Sequence, residues 1–405
     1  MPKKVVVTGI GIASSAGLSP EEVWNNIMDK RRTVATDPRL AGTDIDWACS
    51  IRNWAPSEYL KKSLIWRCDP FIQFALYAAS EAITDSGLDC HISPHNIGMV
   101  VGNSLGGVST SEMLNKRALQ EGVKAIGSTY LLSTMGNMAS GNIAIELGVK
   151  GPTYTVGTAC ASGTDAIGIA KNMIEKGQCD FIIAGASEAP ITPLVTASFT
   201  NIGALSRNRG KKYSSRPFDE ERDGFVISEG AAFLVLEDEE KAIKRKARIY
   251  ATVTGYWSTN DSYHVTSPSK TGEGILKAMK GGLTNAGLAP SDIDCINAHG
   301  TSTQYNDYTE GKAISRIFGE DVFVTSTKGV TGHSLAASGA IESAISILKI
   351  NNKGIPAVAG LKNQDRNIKI KAPTTSLENV RVDNVLSNSL GFGGQNATLV
   401  FSRHS

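Results

Sequence analysis

Cys160 stands in Thr155-Val156-Gly157-Thr158-Ala159-Cys160-Ala161-Ser162-Gly163, between an apolar, β-rich run and a helical one. A thiol at a strand-to-helix turn faces the unpaired N–H groups and the positive dipole end of the helix, which favour thiolate over thiol. Such a sulfur is a nucleophile that needs neither a metal nor an adjacent base. A small buried cysteine that only packs carries the same local pattern, so residues further along the chain must separate the two. Three later segments mix polar and small residues: Asn297-Ala298-His299-Gly300-Thr301-Ser302-Thr303, Ser326-Thr327-Lys328-Gly329-Val330-Thr331-Gly332-His333, and Asn388-Ser389-Leu390-Gly391-Phe392-Gly393-Gly394. Each is expected to follow a strand, in a turn whose side chains reach a shared cleft. Of the six histidines, only His299 and His333 fall in such glycine-flanked turns; His91, His95, His264 and His404 do not. No histidine or glutamate spacing suited to metal ligation accompanies them, so no metal site is expected.

The elements that would position these groups alternate between strand and helix, which points to an α/β protein. Val5–Thr8 reads as a buried strand ending in a glycine turn. Ser19-Pro20 caps and starts a helix through Met28. Asp69-Pro70 opens a longer helix to about Asp85, with Phe71, Phe74, Ala75, Ala78 and Ala82 at helical spacing. Ile97–Val101 is a strand; Thr110–Glu121 and Met138–Leu147 are helical. Thr153–Val156 is the strand before the cysteine and Thr164–Lys176 the helix after it; Phe181–Ala184 and Ala231–Glu237 are strands. Val322–Ser326 is a further strand and Ala336–Ile350 a further helix. Val5-Val6-Val7-Thr8-Gly9 is echoed by Ala251-Thr252-Val253-Thr254-Gly255, and Ser162-Gly163 by Ser338-Gly339. The shared order of these echoes suggests two related halves, residues 1–247 and 248–405.

The chain has 405 residues, 41% hydrophobic and 20% charged, which is enough for a large core split over more than one unit. A net charge of +2 gives no global reason to expect nucleic acid or an anionic membrane as partner. Cys49, Cys68, Cys90, Cys160, Cys179 and Cys295 are scattered without a CxxC pair, so reduced, intracellular thiols are expected rather than a disulfide framework. The run after Lys3-Lys4 is too short and too glycine-interrupted for a signal peptide, and no stretch is long and apolar enough to span a bilayer. A cytoplasmic protein is expected.

Together with Arg222-Asp223-Gly224-Phe225, the Cys160 segment and the three later segments occur in the order found in the β-ketoacyl-[acyl carrier protein] synthases. From Val5 to Phe401 the chain resembles that family, specifically its elongating type with a Cys-His-His site, and most closely the fatty acid synthase II subtype. The resemblance implies a thiolase-type fold: two similar βαβαβαββ halves in a layered α-β-α-β-α arrangement. It implies that Cys160 accepts an acyl group from a carrier protein. Malonyl thioester then loses carbon dioxide, and the enolate attacks the acyl-cysteine. His299 and His333 would donate to the developing enolate oxygen. Lys328, partnered by Glu342, would order the histidines and lower the thiol's pKa. The backbone N–H groups of Cys160 and Phe392 would form a second oxyanion hole, with Gly391 and Gly393 allowing close approach and Phe392 acting as gate. Thr301 and Thr303 would hold the phosphopantetheine arm, and Leu105, Tyr130 and Phe199 would line the acyl channel. No cofactor is implied beyond that phosphopantetheine on the acyl carrier protein.

The resemblance also implies a homodimer, with a heterodimer containing a second ketosynthase-like subunit as the alternative. Because the carrier is acidic, a basic docking patch is expected, either Lys61, Lys62 and Arg67 or Arg207, Arg209, Lys211 and Lys212. Gln304, Leu390, Gln395 and Ser228 depart from the family's usual proline, phenylalanine, threonine and glycine. These departures bear on chain preference and gating, and a ketosynthase of a type II polyketide or aryl-polyene pathway is the competing reading. A thiolase would need a second, C-terminal cysteine, and the last cysteine is Cys295. A chain-length factor would lack the nucleophile. Chain-initiating synthases and plant-type polyketide synthases would carry asparagine at the place of His333. A papain-like hydrolase would carry a Cys-Gly-Ser-Cys-Trp signature.

Overall fold

A computed structural model describes residues 3–91, 93–208 and 214–404. Its strands are β1 (Val5–Ser14), β2 (Ala35–Thr36), β3 (Trp47–Ala48), β4 (Ile97–Gly102), β5 (Thr153–Val156), β6 (Phe181–Glu188), β7 (Gly230–Asp238), β8 (Ala251–Asn260), β9 (Cys295–Asn297), β10 (Phe323–Thr325), β11 (Asn384–Gly391) and β12 (Gln395–Ser402). β2 and β3 pair with each other; the other ten form one continuous run, β10-β9-β11-β12-β8-β1-β7-β6-β4-β5.

Read outward from the β1–β8 junction, both arms have the same topology. Counting strands along the chain, each arm runs first, fifth, fourth, second, third. Directions repeat as well. The first, fifth and fourth strands are antiparallel neighbours, and the fourth, second and third are parallel. β1 and β8 meet only through Val6–Thr252 and Val7–Ala251.

Helices cover both faces, so the strands near the β1–β8 junction, β1 and β7 above all, are buried along their length and alternate between two cores. Along β7, Ala232, Leu234 and Leu236 point to a central core, while Ala231, Phe233 and Val235 point to an outer one beneath the Pro70–Ser86 helix. In the other arm Leu399 and Phe401 of β12 face the central core, and Val400 faces a second outer core with Ile275, Met279 and Leu283 of the Glu273–Ala286 helix. The central layer is a pair of helices, Ser162–Glu175 and Ser338–Asn352. The result is helix, sheet, helix pair, sheet, helix.

β1 corrects one expectation. Glycine does not end this strand, which runs ten residues, all of them buried. A Cβ on Gly9 would lie 2.1 Å from the Ala82 carbonyl oxygen, and one on Gly11 would lie 1.9 Å from that of Ala78. The glycines let the Pro70–Ser86 helix rest directly on the strand. That helix starts where Asp69 Oδ1 accepts from Phe71 N at 3.1 Å, and the Pro20–Met28 helix where Ser19 Oγ accepts from Glu22 N at 3.2 Å. No helix among the described residues is long and apolar enough to cross a membrane.

Candidate active site

Cys160 sits in a 3₁₀ turn, Ala159–Ala161, that feeds the Ser162–Glu175 helix. Ala159 has φ +49°, a left-handed conformation that a non-glycine residue rarely adopts, and it turns Cys160 outward from the strand direction. Ser162 Oγ closes the turn, accepting from Thr158 N at 2.9 Å and donating to Ala159 O at 2.6 Å. Thr158 Oγ1 donates to Asp165 at 2.5 Å, and Asp165 accepts from Tyr256 of β8 at 2.8 Å, which ties the nucleophile turn to the other arm of the sheet.

The thiol differs from the sequence expectation. Lys328 and the backbone N–H groups of Phe392 and of Cys160 itself all favour the thiolate, yet burial outweighs them and pushes the Cys160 thiol up to about 12. In this enclosed site desolvation of the charged sulfur exceeds what dipoles and one ammonium return. The resting group is a neutral thiol.

His299 follows β9. Its N–H and that of Gly300 are held by Glu310 at 2.8 and 2.9 Å. His333 follows the Lys328–Thr331 helical turn and is stitched into the first half: its N–H donates to Val226 O at 2.8 Å, and its carbonyl accepts from Ser228 N at 3.0 Å. The two rings meet edge to face, with centroids 5.2 Å apart and planes at 84°. Both are buried, and burial together with the nearby Lys328 ammonium holds both well below the usual imidazole value. They are therefore neutral.

Both rings are held on their Nδ1 side. Lys328 has three acceptors around its Nζ: the Glu342 carboxylate, His299 O at 2.7 Å and His299 Nδ1 at 3.5 Å. An ammonium only donates, so Nδ1 of His299 accepts and Nε2 carries the proton. Ser338 Oγ accepts from Ser334 N at 3.1 Å and lies 2.9 Å from His333 Nδ1 and 3.2 Å from Ser334 Oγ, which fixes the His333 ring on its Nδ1 side. His299 then presents an Nε2–H. Glu342, buried beside Lys328, has its carboxyl pushed up by burial and pulled back by that lysine.

A cavity of about 210 Å³ brings together Cys160, His299, His333, Phe392, Thr301, Thr303, Phe199, Leu390 and Gly391. An aromatic row runs along it: Phe392 to Phe199 at 6.0 Å, Phe199 to Phe225 at 5.5 Å, and Phe225 to His333 at 4.9 Å. Thr301 and Thr303 share a hydroxyl contact at 3.0 Å. Lys328 and Glu342 sit behind the rings rather than in the lining. Gly393 lies outside the lining, at the exposed tip of the β11–β12 turn, where its N–H donates to Val265 O at 2.7 Å. The Asn388–Gly394 segment does not follow a strand as expected; it forms the end of β11 and that turn.

Leu105 and Tyr130 are not part of this cavity. Leu105, 39% exposed, lies on the loop after β4, and Tyr130 opens the Tyr130–Thr134 helix. Of the basic candidates, Lys61 pairs with Glu146 at 2.7 Å, Arg67 donates to Asn142 at 3.2 Å, and Lys62 and Arg207 are exposed. Arg209, Lys211 and Lys212 lie outside the described residues. The departures from the family pattern have local partners: Ser228 Oγ donates to Cys49 O at 2.8 Å, and Gln304 donates to Arg222 O. Gln304 O in turn accepts from Arg222, which also donates to Thr303 O at 3.1 Å.

Sequence reasoning missed Glu310, Ser338 and Asp307, whose carboxylate accepts from Ser302 N and Phe218 N. Glu310 and Asp307 act on backbone N–H groups of loops, whereas Ser338 acts locally, and its echo of Ser162 was the available signal.

Residues 2–242 match the family described as beta-ketoacyl synthase, N-terminal domain, and residues 250–362 match beta-ketoacyl synthase, C-terminal domain. The chain is 38% identical over 411 residues to 3-oxoacyl-[acyl-carrier-protein] synthase 2 of Staphylococcus aureus (strain COL), covering 99% of this chain and 98% of that one. Among solved structures it resembles the ishigamide ketosynthase/chain length factor (TM-score 0.94, 30% identity, 100% of both chains). It also resembles a type II PKS ketosynthase solved with its acyl-carrier protein and bound to the hexaketide (TM-score 0.90, 30% identity, 100% of both chains). With two family matches that together span most of its length, the chain belongs to the beta-ketoacyl synthase family.

Proposed function

We propose that this protein is an acyltransferase that condenses an acyl thioester with malonyl-acyl carrier protein, releasing carbon dioxide and giving 3-oxoacyl-acyl carrier protein in fatty acid elongation. The observation that carries the reading is one cavity in which a nucleophilic turn and two neutral imidazole donors converge. The Cys160 sulfur attacks the acyl carbonyl and the carrier's thiol leaves. The cysteine proton goes to the departing sulfur, which leaves as the neutral carrier thiol. Malonyl thioester follows; its bond to the carboxylate breaks and the electron pair enters an enolate. Nε2–H groups of His299 and His333 stabilise that oxygen in a water-poor site. The enolate carbon attacks the acyl-cysteine, whose oxyanion faces the N–H groups of Cys160 and Phe392. The carbon–sulfur bond then breaks, and the cysteine recovers a proton.

The same reading assigns Lys328 and Glu342 to positioning, and Thr301 and Thr303 to the phosphopantetheine arm. Phe392, with Gly391 and Gly393, forms the gate, and Phe199, Leu105 and Tyr130 contact the acyl chain. Residues 1–247 and 248–405 are taken as the two repeated halves, a reading supported by their shared strand order. Lys62 and Arg207, exposed and basic, are the described candidates for carrier docking. A homodimer is proposed through β5, an edge strand with exposed side chains including Tyr154 at 53%, flanked by exposed Leu131, Leu132 and Ile145. Leu105 and Tyr130 belong to that side, since their segments bond to the end of β5 and to each other. A second reading, a polyketide or polyene ketosynthase paired with a distinct subunit, is favoured by the likeness to the ishigamide pair.

Intact-mass analysis of Cys160 after incubation with carriers bearing saturated or polyenoyl chains separates the two. Cys160→Ala abolishes condensation, whereas Cys160→Gln retains malonyl decarboxylation. Full elongation by the alanine variant would refute the assignment.

A further inference from the structure

The loop after β4 and the loop after β9 are held by one device. Glu310 grips two successive amides of the His299 loop, and Glu188 grips two of the Leu105 loop, accepting from Ser104 N at 3.0 Å and Leu105 N at 3.2 Å. Glu188 is the last residue of β6 and has 0% exposure. Ser104 Oγ also donates to it, Asn103 Nδ2 donates at 3.2 Å, and the Ala336 N–H faces it. A buried carboxylate held by this many dipoles fixes the groups that surround it.

Ala336 has a particular place. The Ser334–Gly339 turn copies the nucleophile turn. Ser338 Oγ accepts from Ser334 N as Ser162 Oγ accepts from Thr158 N. Ala337 N donates to Ser334 O as Ala161 N donates to Thr158 O, both at 3.0 Å. Leu335 has φ +48° and Ala159 φ +49°. Ala336 thus stands where Cys160 stands. The Cys160 N–H faces its own sulfur, while the Ala336 N–H faces Glu188. Glu188 therefore joins the Leu105 loop to the turn that follows His333.

We propose that Glu188 is a positioning residue that sets chain-length selection by holding the loop of Leu105, the residue that the proposed function sets against the acyl chain. The inference rests on the condensing reading above and on the place that reading gives Leu105. The loop's other side is held by backbone, with Gly107 N donating to Thr134 O at 2.9 Å and a Cβ on Gly107 lying 2.3 Å from Ser133 O, and by Asn103, whose Oδ1 accepts from Gly106 N at 2.8 Å. The amides of Ser104 and Leu105 themselves are held by the Glu188 side chain. In Glu188→Gln one carbonyl oxygen remains as acceptor, and an NH₂ group is turned toward N–H donors.

The test is acyl transfer to Cys160 from carriers bearing butanoyl to hexadecanoyl chains, read by intact mass. Wild type is compared with Glu188→Gln, Ser104→Ala and Ile27→Ala, the last a core variant in the Pro20–Met28 helix that lowers stability away from the loop. Glu188→Gln should change the long-to-short ratio about tenfold, the discrimination that one or two methylene groups provide. Ser104→Ala should move it in the same direction by less, and Ile27→Ala should leave it unchanged. An unchanged ratio in folded Glu188→Gln overturns the proposal, as does an equal shift in Ile27→Ala. Should Glu188→Gln fail to fold, an unchanged ratio in Ser104→Ala overturns it. Failure of wild-type Cys160 to accept any acyl group is a different result: it removes the condensing reading itself.

Discussion

Lys328 and Glu342 can be separated into structural and chemical contributions by a double-variant cycle. Both side chains are at most 2% exposed and form an ion pair. Lys328→Met leaves the Glu342 carboxylate in the core without its ion-pair partner, which costs about 3–5 kcal/mol. Burial holds the Glu342 carboxyl above its ordinary 4.5, and loss of the lysine raises it further. The folded protein then binds the proton more tightly than the unfolded chain. The cost is therefore absent below about pH 4.5 and grows as pH rises toward the raised folded value. Pairing Lys328→Met with Glu342→Gln removes both charges and should recover all but about 1 kcal/mol. Activity should not recover. Without the ammonium nothing forces His299 Nδ1 to accept, so its Nε2 can lose the proton aimed at the enolate. One misdirected donor corresponds to a fall of about 10²–10³ in the rate of decarboxylation. Guanidinium unfolding at several pH values and release of labelled carbon dioxide in the Cys160→Gln background measure the two effects. A double variant that is both stable and within about threefold of the parent rate, where one lost donor should cost far more, would show that Lys328 does not set the imidazole tautomer.

His333→Ala should impair decarboxylation more than acyl loading; equal carbon dioxide release by variant and parent would count against it. Because burial holds His299 and His333 well below 6.5, decarboxylation in the Cys160→Gln background should stay level from about pH 8 to about pH 6.5 and decline only at lower pH. A falling limb centred on 6.5 would mean that the rings are not desolvated as described. Gly11→Ala places a Cβ 1.9 Å from the Ala78 carbonyl oxygen. It should cost at least about 1–3 kcal/mol, seen as a lower denaturation midpoint; an unchanged midpoint would refute the close packing of helix on strand.

Legibility in the sequence followed the range of the interaction. Ser19 and Asp69 announced helix starts because a cap acts on residues two or three positions away. Cys160, His299 and His333 were legible because small-residue turns at strand ends leave a local mark. Gly9 and Gly11 misled because a glycine serving close helix packing looks, in sequence, like one that ends a strand. The ionisation of Cys160 was misjudged for a related reason: the helix terminus and Lys328 can be inferred from sequence, but the desolvation that outweighs them belongs to the assembled interior. Glu188 and Glu310 were invisible, since each holds backbone groups of a loop and neither has a diagnostic neighbour in the chain.

The site lies where the two arms of the sheet are forced together, and two glycines determine how closely. A Cβ on Gly163 would come within 2.7 Å of Ala340 N, and one on Gly339 within 2.2 Å of Thr164 Oγ1. The central helices thus start in contact, each opening on the same turn, one carrying Cys160 and the other Ala336. Because the turns are equivalent, either could have held a nucleophile, and what distinguishes them is the partner of the free N–H. In the first turn it faces the Cys160 sulfur; in the second it faces the Glu188 carboxyl group. With the buried Glu188 carboxyl group at the second position, that turn becomes a fixed support for the loop beside it, and a thiol stands in the other turn alone. The asymmetry between two like halves therefore comes from a few side chains at strand ends, not from a difference in topology.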